Sequence, residues 1–147
     1  MTVLKQRLKA VFFDIGDTLV SPSTRTWLNG AKTAVHAFKD SNLSLGIISN
    51  TGSLDRTQLK EYLPDDFSFA DFTSELVVLS SEVKLEKPDL RIFLMAAELA
   101  NAYPSECLFC GENLVENVVA QQAGFVSFRL GGDTAGDFEK LLELVLD

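Results

Sequence analysis

The chain has 147 residues, with 13 Lys and Arg against 21 Asp and Glu, for a formal net charge of −8. The length points to one domain over residues 1–147. The 46% hydrophobic content, including 11 Phe, supplies a packed core and excludes disordered, collagen-like and coiled-coil classes.

The acidic balance offers no basic footprint for a polyphosphate, so nucleic acid is not an expected partner, while local geometry still permits a small phosphorylated ligand. The opening MTVLKQRLKAVFFD carries Lys5, Arg7 and Lys9, but its apolar run from Ala10 to Phe13 ends at Asp14. It reads as neither a secretory signal nor a membrane span. The chain's two cysteines cannot form a disulfide framework, and a cytoplasmic location is expected.

Short apolar runs alternate with amphipathic stretches, the pattern of strands buried on both faces between helices. In chain order the sequence predicts a strand at 10–14, a helix at 30–40 and a strand at 45–49. A helix at 53–62 follows, with Ser53 as its cap. One short strand is expected within 67–79, then a helix from Pro88 to about Asn101 with the proline in its first turn. A strand at 107–110, a helix at 114–123 stopped by Gly124, a strand at 125–129 and a helix at 137–146 complete the chain. The fold class is α/β, with helices on both sides of a parallel sheet. Such sheets bind ligands outside the carboxyl ends of their strands.

Four segments place reactive residues at those ends. In FFDIGDTLV, Asp14 ends a strand and is followed by Gly16, Asp17 and Thr18. A carboxylate there can ligate a hard cation or attack phosphorus, and small neighbours let backbone N–H groups approach an anion. In GIISNTG, Ser49 and Asn50 offer a hydroxyl and free N–H groups. Lys87, against Pro88, can neutralise a phosphate together with an attacking carboxylate. In CGENLVEN, Glu112 and Glu116 stand one helical turn apart on one face and suit Mg²⁺. Taken singly, each segment has an ordinary counterpart: a polar turn at the first two, a surface lysine at the third, and an acidic first helical turn at the fourth.

In this order and spacing the four segments resemble the haloacid dehalogenase-like (HAD) hydrolase superfamily over essentially the whole chain. The resemblance implies a three-layer Rossmann-like fold. It also implies hydrolysis of a phosphate monoester through an aspartyl-phosphate on Asp14, with Mg²⁺ as cofactor. Asp14, the backbone carbonyl of Gly16 and Glu112 would hold the metal, and Glu116 would orient metal-bound water. Ser49, the N–H groups of Ile15, Gly16 and Asn50, and the Lys87 ammonium would surround the phosphate.

Two departures from the family pattern bear on rate. Gly16 stands where phosphatases of the family carry the aspartate that protonates the leaving alcohol, and loss of such a group typically costs about 10²- to 10⁴-fold. Asp17 is the nearest substitute. Glu112 and Glu116 replace the usual aspartates, adding a methylene to a ligand of a metal with strict octahedral demands. The stretches Thr18–Ser49 and Gly52–Lys87 are too short for a folded cap, so a capless member is expected. Its open crevice would accept a phosphorylated small molecule or a phosphoprotein, and oligomeric state stays open.

A retired phosphate- or metal-binding module is the alternative to a slow enzyme. A two-component receiver fits less well, because no aspartate ends the strand at Ser49. Cys107 and Cys110 should point to opposite faces of their strand and cannot share a zinc. His36, Trp27, Leu28, Arg25 and Arg56 are assigned to helix surface, packing and surface charge.

Overall fold

The computed structural model describes residues 7–146; residues 1–6, on which the reading of the N-terminus partly rests, lie outside it. Strand β1 (Ala10–Phe13) is buried at every position. Its period of two sends Val11 and Phe13 into one apolar cluster and Ala10 and Phe12 into another on the opposite face. After β1 come a two-residue pair, β2 (Val20–Ser21) and β3 (Thr26–Trp27), then helix α1 (Ala31–Lys39) and strand β4 (Ser44–Ser49). The sequence does not predict the β2–β3 hairpin, because strands of two residues carry no readable alternation.

The chain continues through α2 (Arg56–Leu59), strand β5 (Val77–Leu79), α3 (Ser80–Val83) and α4 (Leu90–Leu99). It closes with β6 (Cys107–Gly111), α5 (Leu114–Gln122), β7 (Val126–Arg129) and α6 (Thr134–Val145). The sheet order is β5-β4-β1-β6-β7, with every pairing parallel. Ala31, Ala34, Val35 and Phe38 of α1 join Phe138, Leu141 and Val145 of α6 on one face. Ile92, Phe93 and Ala96 of α4 join Ala120 of α5 on the other. These are the three layers expected, with no cap domain among the described residues. Gly46 allows the closest approach inside the sheet: a Cβ there would lie 2.6 Å from the Phe12 ring and 2.7 Å from the Leu76 carbonyl oxygen.

Several boundaries differ from the sequence reading. The cap of α2 is Asp55, not Ser53. Its carboxylate accepts from Gln58 N at 2.8 Å while Gln58 Oε1 accepts from Asp55 N at 2.9 Å, a reciprocal box that a cap at Ser53 cannot make. This helix runs one turn and tightens to a 3₁₀ turn at Lys60–Tyr62, since Pro64 disfavours helical backbone at Leu63. Pro88 precedes the cap of α4 instead of occupying its first turn, because the Asp89 carboxylate accepts from Arg91 N at 2.9 Å. Likewise α6 starts at Thr134, capped by Asp133. Gly124, at φ 104°, follows α5 as expected.

Cys107 and Cys110 belong to clusters on opposite faces, as the strand period requires. Burial, then Glu106, pushes the Cys107 thiol up to about 12; burial, then the carboxylates of Asp137 and Asp14, also pushes Cys110 up. Among the described residues no helix is long and apolar enough to cross a membrane.

The hairpin is tied to the segment that follows α2. Trp27, the chain's single tryptophan, stacks on Phe67 at 5.3 Å, and its Nε1 donates to Asp66 Oδ1 at 2.8 Å. Asp66 also pairs with Lys32, and these two donors, Lys32 first, hold its carboxyl below the ordinary 3.8. A depressed folded value means the contact is complete above pH 3.8 and is lost as pH falls below it. Trp27 emission should therefore stay flat on acidification until below about pH 3.8 and then shift. An Asp66→Asn variant should lack that step, and a midpoint above about pH 4.5 would contradict the assignment.

Candidate active site

Order reverses at β1: the chain builds outward through β4 and β5 on one side, then returns to place β6 and β7 on the other. Side chains just beyond β1, β4 and β6 therefore share one crevice. Asp14 follows β1, and its N–H donates to the Cys110 carbonyl at 3.1 Å, which fixes it beside the end of β6. Ser49 ends β4, and Glu112 follows β6.

Lys87 comes from farther along the chain, and its side chain reaches this point. Its Nζ lies 3.1 Å from Asp14 Oδ1 and 2.7 Å from Glu116 Oε1, with the lysine side chain 1% exposed and the carboxylates 14% and 16%. Both contacts are at ion-pair distance, yet neither has the direction of a hydrogen bond. The ammonium also lies 5.2 Å from the centre of the Phe109 ring, in a cation–π position. Two carboxylates and the Phe109 ring together hold the Lys87 ammonium.

The backbone of Lys87 is fixed separately. Asn50 Nδ2 donates to the Lys87 carbonyl and Lys87 N donates to Asn50 Oδ1, both at 2.8 Å. This clamp joins the end of β4 to a residue 37 positions later, and nothing in local sequence announces it. Thr51 adds a second tie: its N–H donates to Ser80 Oγ at 2.8 Å and its hydroxyl to Ser81 Oγ at 2.9 Å.

The turn after β1 is tight. The Ile15 carbonyl accepts from the N–H groups of Thr18, Leu19 and Val20, and Asp17 sits at φ 59° with its side chain exposed. Ile15 N donates to Asp14 Oδ1 at 2.7 Å, so this N–H orients the aspartate. The N–H groups of Gly16 and Asn50 and the Gly16 carbonyl make no hydrogen bond among the described residues. Thr18 is fully buried, and its hydroxyl has no hydrogen-bond partner among the described residues.

The structure thus brings Asp14, Lys87 and Glu116 into contact and Asn50 onto Lys87. Ser49 and Glu112 flank them at the neighbouring strand ends without touching the cluster through a hydrogen bond or ion pair. Glu112 and Glu116 do not share a helix face. Asn113 caps α5 by accepting from Glu116 N at 3.0 Å, so Glu112 lies before the helix, where its carbonyl accepts from Arg129 Nε. Asn117, also absent from the sequence reading, donates to the carbonyls of Gly111 and Asn113 and braces this turn.

A cleft of about 570 Å³ is lined by Arg25, Arg56, Lys60, Phe67 and Phe69 but not by Asp14 or Lys87. Its arginines are paired, Arg25 with Asp65 and Arg56 with Glu82. His36 is exposed on α1, remote from the strand ends.

No protein-family model and no curated protein matches the sequence. Solved structures do match. A Lactobacillus plantarum protein provisionally assigned as a phosphoglycolate phosphatase superposes with TM-score 0.72 at 16% identity, covering 93% of this chain and 99% of its own. A HAD-superfamily hydrolase of Geobacter sulfurreducens superposes with TM-score 0.68 at 16% identity, covering 92% and 97%. A HAD-family enzyme of Bacteroides thetaiotaomicron, crystallised with magnesium and inorganic phosphate, gives 0.64 at 15% identity, covering 84% and 94%.

This is the HAD-like hydrolase fold. Coverage is nearly complete in both directions for the first two, so they too have little chain left over for a cap. At these identities the likeness establishes the fold, and the chemistry rests on the residues within it.

In this HAD-like crevice Lys87 is the electrostatic centre. Replacing it leaves two carboxylates facing each other without their cation, and breaking a buried ion pair typically costs about 3–5 kcal/mol. Because both carboxylates keep some water contact, Lys87→Met should cost about 2 kcal/mol in urea unfolding. A change below about 0.5 kcal/mol would show that the ion pairs contribute little.

Proposed function

We propose that the protein is a Mg²⁺-dependent phosphohydrolase acting on phosphate monoesters through Asp14. The observation that carries this reading is the Lys87 ammonium 3.1 Å from the Asp14 carboxylate at the carboxyl end of the central strand. A cation fixed beside an attacking carboxylate both draws in a phosphoryl group and offsets the charge of the transition state.

Three oxygen donors at the carboxyl ends of β1 and β6 suit Mg²⁺. They are the Asp14 carboxylate, the unengaged Gly16 carbonyl and the Glu112 carboxylate, which has no ion-pair partner among the described residues. No three acidic, His or Cys side chains gather into a ready cage among those residues. Mg²⁺ does not need one, since it usually binds one or two carboxylates and takes its other oxygens from water and phosphate. When bound, it would neutralise phosphate oxygens and hold the ester in line with Asp14. Glu116, the fourth residue the family pattern assigns to the metal, has its Oε1 2.7 Å from the Lys87 ammonium.

In the first step a carboxylate oxygen of Asp14 attacks phosphorus in line. The bond from phosphorus to the ester oxygen breaks, and the alkoxide leaves and takes a proton. In the second step water attacks the phosphorus of the aspartyl-phosphate, releasing inorganic phosphate and restoring Asp14. Lys87, the Ser49 hydroxyl and the N–H groups of Gly16 and Asn50 would meet the non-bridging oxygens. Ile15 N–H holds Asp14 in place.

The chain has no side chain at position 16 to donate the alcohol's proton, and exposed Asp17 makes no side-chain contact that aims it inward. The proton then comes from solvent in an open crevice, and turnover is slow. An open crevice also suits a phosphorylated small molecule or a phosphoprotein surface. The same glycine favours a second reading, a phosphate- or metal-binding module without turnover.

Asp14→Asn should abolish Mg²⁺-dependent release of phosphate from a generic aryl phosphate; activity that survives it would remove Asp14 from the mechanism. Gly16 has ordinary φ, and a Cβ there would meet only Pro22 Cγ, at 3.5 Å, so an aspartate fits. Gly16→Asp should raise turnover by about 10²-fold or more. An unchanged rate would show that proton transfer at this position is not what limits the protein.

A further inference from the structure

The carboxyl edge of the sheet carries a second fixed cation. Arg129 ends β7, where it pairs with Gly111 of β6, and the next N–H, that of Leu130, donates to the Gly111 carbonyl at 3.0 Å. The side chain is anchored as well, since its Nε donates to the Glu112 carbonyl at 3.0 Å. Arg25, Arg56 and Arg91 each pair with a carboxylate. Arg129 is in no ion pair, and its terminal nitrogens make no hydrogen bond, among the described residues. The residue is exposed, so the rest of its guanidinium fork is open to an incoming anion.

The strand ladder sets its place relative to Asp14. Asp14 N donates to the Cys110 carbonyl at 3.1 Å, and Gly111 lies opposite Arg129 in the next pairing. Strands stand about 4.8 Å apart, so the backbones of Asp14 and Arg129 are about 10 Å apart, with β6 between them. Ser127, two residues before Arg129, accepts from Gln121 of α5, so alternation turns both toward the α5 side of the sheet. Phe109, beneath the Lys87 ammonium, belongs to the cluster on that same side. Lys87 already faces two carboxylates, whereas Arg129 faces none, and a guanidinium fork matches a carboxylate or a phosphate with two parallel N–H···O bonds.

We propose that Arg129 is a specificity-determining residue that binds a second acidic group, a carboxylate or another phosphate, on the alcohol part of the substrate. This rests on the phosphohydrolase reading for the ester at Asp14 and adds a substrate class to it: small organic phosphates whose second acid lies several bonds from the first.

Three esters of one chain length test this on the full chain with Mg²⁺: hexyl phosphate, its ω-carboxylate and its ω-phosphate. Wild-type kcat/KM should be about tenfold higher for an acidic ester than for hexyl phosphate. Arg129→Met should abolish that preference through KM and leave hexyl phosphate within about threefold of wild type. Arg129→Gln, which keeps a donor for the Glu112 carbonyl without the charge, should do the same, and it carries the comparison if circular dichroism shows Arg129→Met unfolded. A preference for either acidic ester, lost in the variant, supports the assignment and says which acid the site takes. No preference in wild type, a preference that the variants retain, or an equal fall for all three esters, as loss of a merely structural tie would give, would overturn it. If wild type hydrolyses none of the esters, isothermal titration reads the same contact. Tighter binding of an acidic ester that Arg129→Met removes would then sustain Arg129 and overturn the phosphohydrolase reading alone. Equal binding of all three, or none, would overturn both.

Discussion

A lysine ammonium taken almost wholly out of water needs carboxylates, and the rest of the crevice is arranged so that Lys87 finds two. Asp14 arrives from β1, Glu116 from the first turn of α5, and Lys87 from the segment before α4. None of the three is near another in sequence; the sheet alone brings them together. The order β4-β1-β6 sets the loops after these strands side by side, and the Asn50 clamp sets the height of the Lys87 backbone. Changing the register of either neighbouring strand would separate an acid from its cation.

The same contact organises the chemistry. Under the proposed reading, a carboxylate held beside a fixed cation is placed to meet phosphorus, and the ammonium offsets the charge of the incoming oxygens. On the same reading, Gly16 limits the proton transfer that would accompany such an attack. The turn around the Ile15 carbonyl keeps the backbone geometry that an anion requires, while Gly16 within it supplies no proton. The two functions are separable because N–H and C=O groups come from the backbone whatever the side chain.

Much of the layout is legible in the sequence. Runs such as AVFF and LGIIS mark strands buried on both faces, and glycine after α5 marks its end. The positions of Asp14, Ser49 and Glu112 at strand ends are legible because the apolar runs before them mark β1, β4 and β6. The contact between Glu116 and Lys87 is not, because a one-turn spacing of acids looks the same whether they face a metal or a lysine from elsewhere in the chain. The role of Asn50 is hidden for a similar reason: its partner is a backbone group 37 residues away. Start signals mislead where several caps compete, so Ser53 reads as the cap of α2 until the reciprocal box of Asp55 with Gln58 decides the matter. The β2–β3 hairpin is too short to leave a periodic trace.

The central claim is that Asp14 receives a phosphoryl group while Lys87 stands against it. A crystal structure determined with Mg²⁺ and beryllium trifluoride, a mimic of the phosphorylated aspartate, tests this most directly. The account predicts trifluoride bonded to an Asp14 carboxylate oxygen, with the Lys87 ammonium and the Ser49 hydroxyl within hydrogen-bonding distance of its fluorines. Trifluoride absent from Asp14 under saturating conditions, or bound there with Lys87 turned away, would contradict it.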